Sequence, residues 1–236
     1  MAIYRVAYRE EGCQATLYNH GCNWDCSICS YKLREGMAPT KFLSTRKIID
    51  MLASVKLEKL TVLGGEPLTC PDLDRIVASA KEQGACVKVA HSNASLLPPP
   101  GVDEMGVSLR AISKRKHVQL TGVPNTKVLS NFYTMHDRGI ELHVSTILIP
   151  EVVDAEEIRR IAEFLASVDV DLPLHITAYL PVPGLSWRGP FVEEMARAVV
   201  AAKEQLTQVS CSAVNAADYL ASSAWGAVSH QGGVYE

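Results

Sequence analysis

Two periods of apolar and polar positions alternate along this chain. Residues 3–8 and 14–19 are apolar-rich stretches on either side of Glu10-Glu11-Gly12, which predicts an N-terminal hairpin with Gln14–Asn19 as the first strand of a larger sheet. Ile48, Ile49, Leu52 and Val55 recur at helical spacing, and Ser44 or Thr45 reads as the cap of a helix over Lys47–Leu57. Lys59–Leu63 is a short buried strand. A helix opened by Cys70-Pro71-Asp72 presents Leu73, Ile76, Val77 and Ala80 on one face and closes at Gly84. Cys86–Ala90, Met105–Leu109, Ile140–Ile149 and Leu174–Tyr179 read as further strands, and Thr126–Arg138, Asp154–Val168 and Pro190–Thr207 as helices. Leu97-Pro98-Pro99-Pro100-Gly101 excludes a long helix in the third crossover, because proline removes a donor and fixes φ. Six alternations of strand and helix predict βαβ units and a parallel sheet, too few to close an eight-stranded barrel. The expectation is one α/β domain over residues 1–236, with a core at about 14–207 and a tail, 208–236, that the pattern does not place.

Composition narrows the class. The 236 residues are 47% hydrophobic and 21% charged, as in soluble globular proteins. A net charge of -3 gives no global basic field, which disfavours nucleic acid as a partner. The first residues, MAIYRVAYREEG, lack the apolar segment of a signal peptide, and no apolar run reaches the ~18 residues of a membrane span. The expected location is cytoplasmic, away from membranes. Seven cysteines, an odd count, argue against a disulfide framework.

Three of those cysteines carry the chemistry. Cys22, Cys26 and Cys29 have the spacing Cys-x3-Cys-x2-Cys. Thiolates select zinc, copper or iron–sulfur centres, and three of them can hold three corners of a 4Fe–4S cluster and leave one iron open. The alternative is a structural zinc site with His20 as fourth ligand, although such sites usually combine two ligand arms. Downstream, an apolar strand ends in Gly64-Gly65-Glu66-Pro67. In this order the two motifs resemble the radical S-adenosylmethionine (radical SAM) superfamily. The resemblance implies a partial (β/α)6 TIM-like barrel, with a 4Fe–4S cluster and SAM as cofactors. It also implies reductive cleavage of SAM to a 5'-deoxyadenosyl radical, fed by flavodoxin or ferredoxin as electron donor. Cys22, Cys26 and Cys29 would hold the cluster, the GGEP strand end would bind the SAM amino group, and Ile28 would lie against adenine. Asn93, Ser108 and Arg110 are candidates for the SAM carboxylate or ribose, and Ser145 and Tyr179 for the rest of the mouth. Cys13, Cys70, Cys86 and Cys211 have no cluster spacing and read as buried free cysteines, so no auxiliary cluster domain is expected; Cys70 is the one nearest the mouth. His117, His136, His143 and His175 read as satisfied structural histidines. Met37, Met51, Met105, Met135 and Met195 read as core.

Lys116–Asn125, Val128-Leu129, Leu148-Ile149-Pro150 and Leu174-His175-Ile176 resemble the activating enzymes of glycyl-radical enzymes. That likeness implies a partner enzyme as substrate, from whose backbone glycine a hydrogen atom is taken. The chain departs from those activases in carrying Ser108-Leu109-Arg110 for Asp-Leu-Lys, Ser145 for an arginine, and Tyr179–Gly184 where a histidine is common. A small-molecule enzyme similar to the 7-carboxy-7-deazaguanine synthases is the alternative, and a non-enzymatic iron–sulfur or zinc protein a third reading. Pro181–Arg188 reads as a stiff loop at the mouth, with Trp187 and Arg188 as substrate anchors and packing of Trp187 onto the sheet as the competing role.

Overall fold

The computed structural model describes residues 2–34, 38–213 and 215–218, together with the backbone of 234–235. Strands β1 (Ala2–Arg9) and β2 (Gln14–His20) form the expected antiparallel hairpin. From β2 the sheet continues in parallel through β3 (Lys59–Gly64), β4 (Cys86–Ser92), β5 (Glu104–Ser108), β6 (Glu141–Leu148), β7 (Leu174–Ala178) and β8 (Val209–Ser212). A short β9 (Val234–Tyr235) pairs antiparallel with β1, and the sheet order is β8-β7-β6-β5-β4-β3-β2-β1-β9. The open parallel sheet with helical crossovers is the architecture of a partial TIM-like barrel. The tail left unplaced by the pattern thus supplies β8 and β9. Four residues with a single strong apolar position carry too little period to announce a strand.

The helices are α1 (Thr45–Ala53), α2 (Leu73–Glu82), α3 (Lys114–Thr121), α4 (Thr126–Asp137), α5 (Ala155–Ala166) and α6 (Val192–Lys203). Ser44 caps α1 by accepting from the Lys47 amide, and Asp154 caps α5 by accepting from Glu157. Helix α1 stops at Ala53, short of Leu57, and α6 is shorter at both ends than Pro190–Thr207. No helix joins β4 to β5, in line with the proline run. Helix α3 is not predicted by the pattern: its sequence is mostly polar, and only His117, Leu120 and Thr121 are buried. Among the described residues no helix is long and apolar enough to cross a membrane.

Alternation along the strands sorts side chains between two faces. Leu60, Val62, Val87, Val89, Met105, Val107, Val144 and Ile176 point to the helices and are buried, each contributing about 1.5–3 kcal/mol. The other face carries Ser108, Ser145, His175 and Thr177, and these line a cavity. Lower on that face Lys59 and Lys88 both bond Glu104, at 2.7 and 2.9 Å.

Met105 and Met135 are fully buried, and Met51 and Met195 pack half-buried against the core. Met37 lies outside the described residues. Cys70 is buried in the core, where desolvation pushes its thiol up to about 11, so it is not a mouth residue. The reading of the other three cysteines as buried is corrected: Cys211, on edge strand β8, is exposed, and Cys13 and Cys86 are half-buried.

Candidate active site

The cysteine loop is fastened from three sides. The first is the end of β3. Gly64 has φ +128, and a Cβ there would lie 1.9 Å from the Asn19 carbonyl oxygen; a Cβ on Gly65 would lie 2.0 Å from that of Gly21. Both glycines therefore let two chain segments touch. The contact is closed by the Gly65 amide donating to Asn19 O (3.1 Å), the Glu66 amide to Gly21 O (2.9 Å) and Asn19 Nδ2 to Glu66 O (2.9 Å). The second side is the C-terminus of α3. There the Leu120 carbonyl accepts from the Ser27 amide at 3.0 Å and from its hydroxyl at 3.1 Å, and Trp24 meets His117 edge-on at 5.7 Å. The third is the end of β4. Asn93 Nδ2 donates to Asn23 Oδ1 (2.9 Å) and approaches Cys22 Sγ at 3.8 Å, while Asn23 Nδ2 donates to Ser95 Oγ (2.9 Å).

Above the strand ends lies a cavity of about 960 Å³. Cys22, Cys26, Ile28 and Cys29 form one wall, and Gly64, Gly65 and Asn93 adjoin them. Ser108, Arg110, Ser145 and Tyr179 line the remainder. Burial raises the Cys22 thiol and pushes that of Cys26 up to about 11, and the neighbouring Arg110 guanidinium opposes the latter. Arg110 itself is drawn below its ordinary value by burial, against the pull of Cys26 and Cys29. It makes no hydrogen bond or ion pair among the described residues, so its donors are free for a ligand.

The sequence-derived set departs from this site at both ends. Glu66 and Pro67 do not line the cavity. Glu66 is fully buried, and its carboxylate accepts from Ser92 Oγ (2.8 Å), the Asn93 amide (2.6 Å) and the Leu68 amide (3.1 Å). Its role here is to tie the ends of β3 and β4 together, and Pro67 starts the short 3-10 turn that follows. Trp187 and Arg188 also stand off the cavity. Trp187 packs edge-on against Tyr179 at 6.4 Å, and Arg188 pairs with Glu194 at 2.7 and 2.8 Å and covers Phe191. Only Pro183 of the loop Pro181–Arg188 reaches the cavity.

Among the cavity residues that the sequence reading did not assign to the site are two histidines. His91 has φ +58, sits where the β4–β5 register shifts between Val89 and Ser92, and has its amide 3.0 Å from where a Cβ on Gly106 would be. A bulge and a left-handed residue re-aim a strand-end side chain, here into the cavity. Burial of the ring, followed by Arg110, Lys88 and His175, lowers the His91 pKa. His175 lines the opposite wall, its two ring nitrogens 2.8 Å from Ser210 Oγ and Ser212 Oγ of β8. A histidine before Ser-Asn and the Ser-x-Ser of the tail were the available signals, and neither has meaning without the pairing of the strands. Of the four histidines read as satisfied, His117 is fully buried and binds Val123 O through Nδ1, but its Nε2 has no partner, and the Nε2 of His143 has only the Glu141 carboxylate beside it at 2.9 Å.

The donor set fits a cluster. Three thiols share one wall and act on one another electrostatically, Cys29 raising both Cys22 and Cys26. Among the described residues no three His, Cys, Asp or Glu side chains gather round a single-ion site.

Residues 17–165 match the sequence profile of the Radical SAM superfamily. A Methanocaldococcus jannaschii protein described as a glycyl-radical enzyme activating enzyme is 31% identical over 205 residues, covering 84% of this chain and 80% of that one. The pyruvate formate-lyase-activating enzyme of Staphylococcus epidermidis is 24% identical over 200 residues, 75% of this chain and 78% of that one. Streptococcus suis SuiB, solved bound to S-adenosylmethionine, superposes with a TM-score of 0.63 at 14% identity over 82% of this chain. The present chain spans about half of SuiB's length (48%), and the likeness shows a common fold.

Proposed function

Because the chain belongs to the radical SAM superfamily, we propose that its cavity holds a 4Fe–4S cluster on Cys22, Cys26 and Cys29, with SAM beside it. We further propose that the substrate is a glycine-bearing loop of a partner enzyme. The observation that carries the cofactor reading is the wall of three thiols facing unpaired Arg110 at the C-terminal ends of parallel strands. When bound, the reduced cluster supplies the electron that cleaves SAM to methionine and a 5'-deoxyadenosyl radical.

In this reading the chain's residues bind, orient and exclude water. Arg110 and the ring of His91 direct donors at the SAM carboxylate, the only anionic group that ligand carries. The backbone of Gly64 and Gly65 meets its amino group. Asn93, Ser108 and Ser145 supply hydrogen bonds, and Ile28, packed into the core at the cavity wall, offers apolar contact to adenine. Tyr179 walls the side toward β7. The volume stands at the upper end of small-molecule sites, about 300–1,000 Å³. That supports a cavity shared by the cofactor and a segment of substrate.

The glycine target is supported by the Methanocaldococcus and Staphylococcus relatives and by the resemblance of residues 116–125 to activases. The test is anaerobic reconstitution with iron and sulfide, then SAM with dithionite. Formation of 5'-deoxyadenosine is expected in the wild type and none in the Cys22/Cys26/Cys29→Ala triple variant. Mixing with the candidate glycyl-radical enzyme should give a glycyl radical signal in electron paramagnetic resonance. Deoxyadenosine without that signal would retain the SAM chemistry and overturn the glycine target.

A further inference from the structure

Helix α3 touches the cysteine loop but not the cavity. The Leu120 carbonyl holds Ser27, between Cys26 and Cys29, and His117 holds Trp24, between Cys22 and Cys26. No residue of 114–121 lines the cavity. The opposite face of the helix is open: Lys114, Arg115, Val118 and Gln119 are exposed. Lys116 is committed to Asp154 and Glu157, at 3.6 and 3.2 Å, whereas Lys114 and Arg115 have no hydrogen bond or ion pair among the described residues. Val118, 41% exposed, stands beside the two free cations. An apolar centre flanked by arginine and lysine, with no acid on the helix, has the composition of a docking site for an acidic protein.

We propose that this face of α3 receives a negatively charged protein that delivers single electrons to the cluster. The inference rests on the cofactor reading above. A partner seated there lies against the protein outside the loop that would carry the cluster, so an electron can cross while the substrate keeps separate access through the cavity. The step is the loss of one electron by the donor's cofactor and its gain by the cluster, with no atom transferred. The chain as a whole carries a net charge of -3 and repels acidic proteins, so a local basic face decides where one can land. A substrate protein does not fit this face, since nothing on α3 leads into the cavity.

The test compares two reductants on the reconstituted protein with SAM, reading 5'-deoxyadenosine: photoreduced flavodoxin, an acidic flavoprotein, and dithionite, which needs no docking. A Lys114→Glu/Arg115→Glu double variant should lose about tenfold or more of the flavodoxin-driven rate at low ionic strength, and most of its salt dependence. Its dithionite-driven rate should equal that of the wild type. Calorimetric binding of oxidised flavodoxin, which does not depend on turnover, should weaken in parallel. Val118→Ser should weaken it while leaving the salt dependence in place. Unchanged flavodoxin binding and rate in the double variant would overturn the proposal. So would equal loss with both reductants, which would make α3 only a support for the loop. A wild type that yields deoxyadenosine with neither reductant would overturn the cofactor reading, and this inference with it.

Discussion

The backbone of Gly65 lies so close to Gly21 that a Cβ at position 65 would fall 2.0 Å from the Gly21 carbonyl oxygen. The glycine pair thus does its first work between two stretches of chain. Gly65→Ala must push the root of the cysteine loop away from β3, at a cost of about 3 kcal/mol. The variant should show a lowered Tm and a reduced iron content after reconstitution, measured by iron and sulfide analysis. Full cluster loading with only SAM affinity reduced would show that the neighbouring backbone yields and that the contact is not needed for the loop.

Glu66→Ala should behave as a stability variant too. It strips the acceptor from Ser92 Oγ, the Asn93 amide and the Leu68 amide in a dry site, at about 3 kcal/mol. Denaturant melts of the apoprotein check this without any cofactor present. A native Tm combined with lost SAM binding would return Glu66 to the ligand.

His91 and Arg110 are testable through the ligand's own chemistry. A hydrogen bond to a charged group is worth about 1.5–3 kcal/mol, or roughly tenfold to a hundredfold in affinity. Wild type should therefore prefer SAM to decarboxylated SAM, and His91→Ala and Arg110→Ala should each lose most of that preference in equilibrium binding. Equal weakening for both ligands would place the two residues elsewhere in the site.

Burial would raise the Glu104 pKa, but hydrogen bonds from Lys59, Lys88 and the Cys86 thiol outweigh it and take the carboxyl from the ordinary 4.5 to about 2. A depressed carboxyl stabilises the fold above its unfolded pKa and loses that contribution as pH falls through the folded one. Once solvent screening is allowed for, the contribution is about 2 kcal/mol. Urea melts between about pH 5 and pH 2 should show stability falling with acid, and Glu104→Gln should flatten that part of the curve. An unchanged slope in the variant would assign the acid sensitivity to other carboxylates.

Trp187→Ala and Arg188→Ala should lower Tm, through lost packing on Tyr179 and the lost pair with Glu194, and leave SAM affinity unaltered. Calorimetric melts and SAM titration separate the two effects. Weakened SAM binding at full stability would bring the loop into the site.

Much of the architecture was readable because it is written in local periods. Alternation marked β2 through β7, caps such as Asp154 marked helix starts, and the prolines at 98–100 ruled out a helix in the third crossover. The thiol spacing and the Gly-Gly-Glu-Pro strand end pointed to the superfamily because a cluster needs ligands at close, local intervals. The tertiary structure alone decided what depends on neighbours distant in sequence. It turned Gly64 and Gly65 toward Asn19 and Gly21, sank Glu66 among the amides of two strand ends, and sent Trp187 to Tyr179. It bent β4 so that His91 enters the cavity, and laid β8 beside β7 so that two serines hold His175. It also placed α3, a helix with almost no apolar stripe, beneath the cysteine loop. A periodic pattern reports which face of an element avoids water; which partner covers that face, and which polar groups meet across it, follows only when the strands are paired.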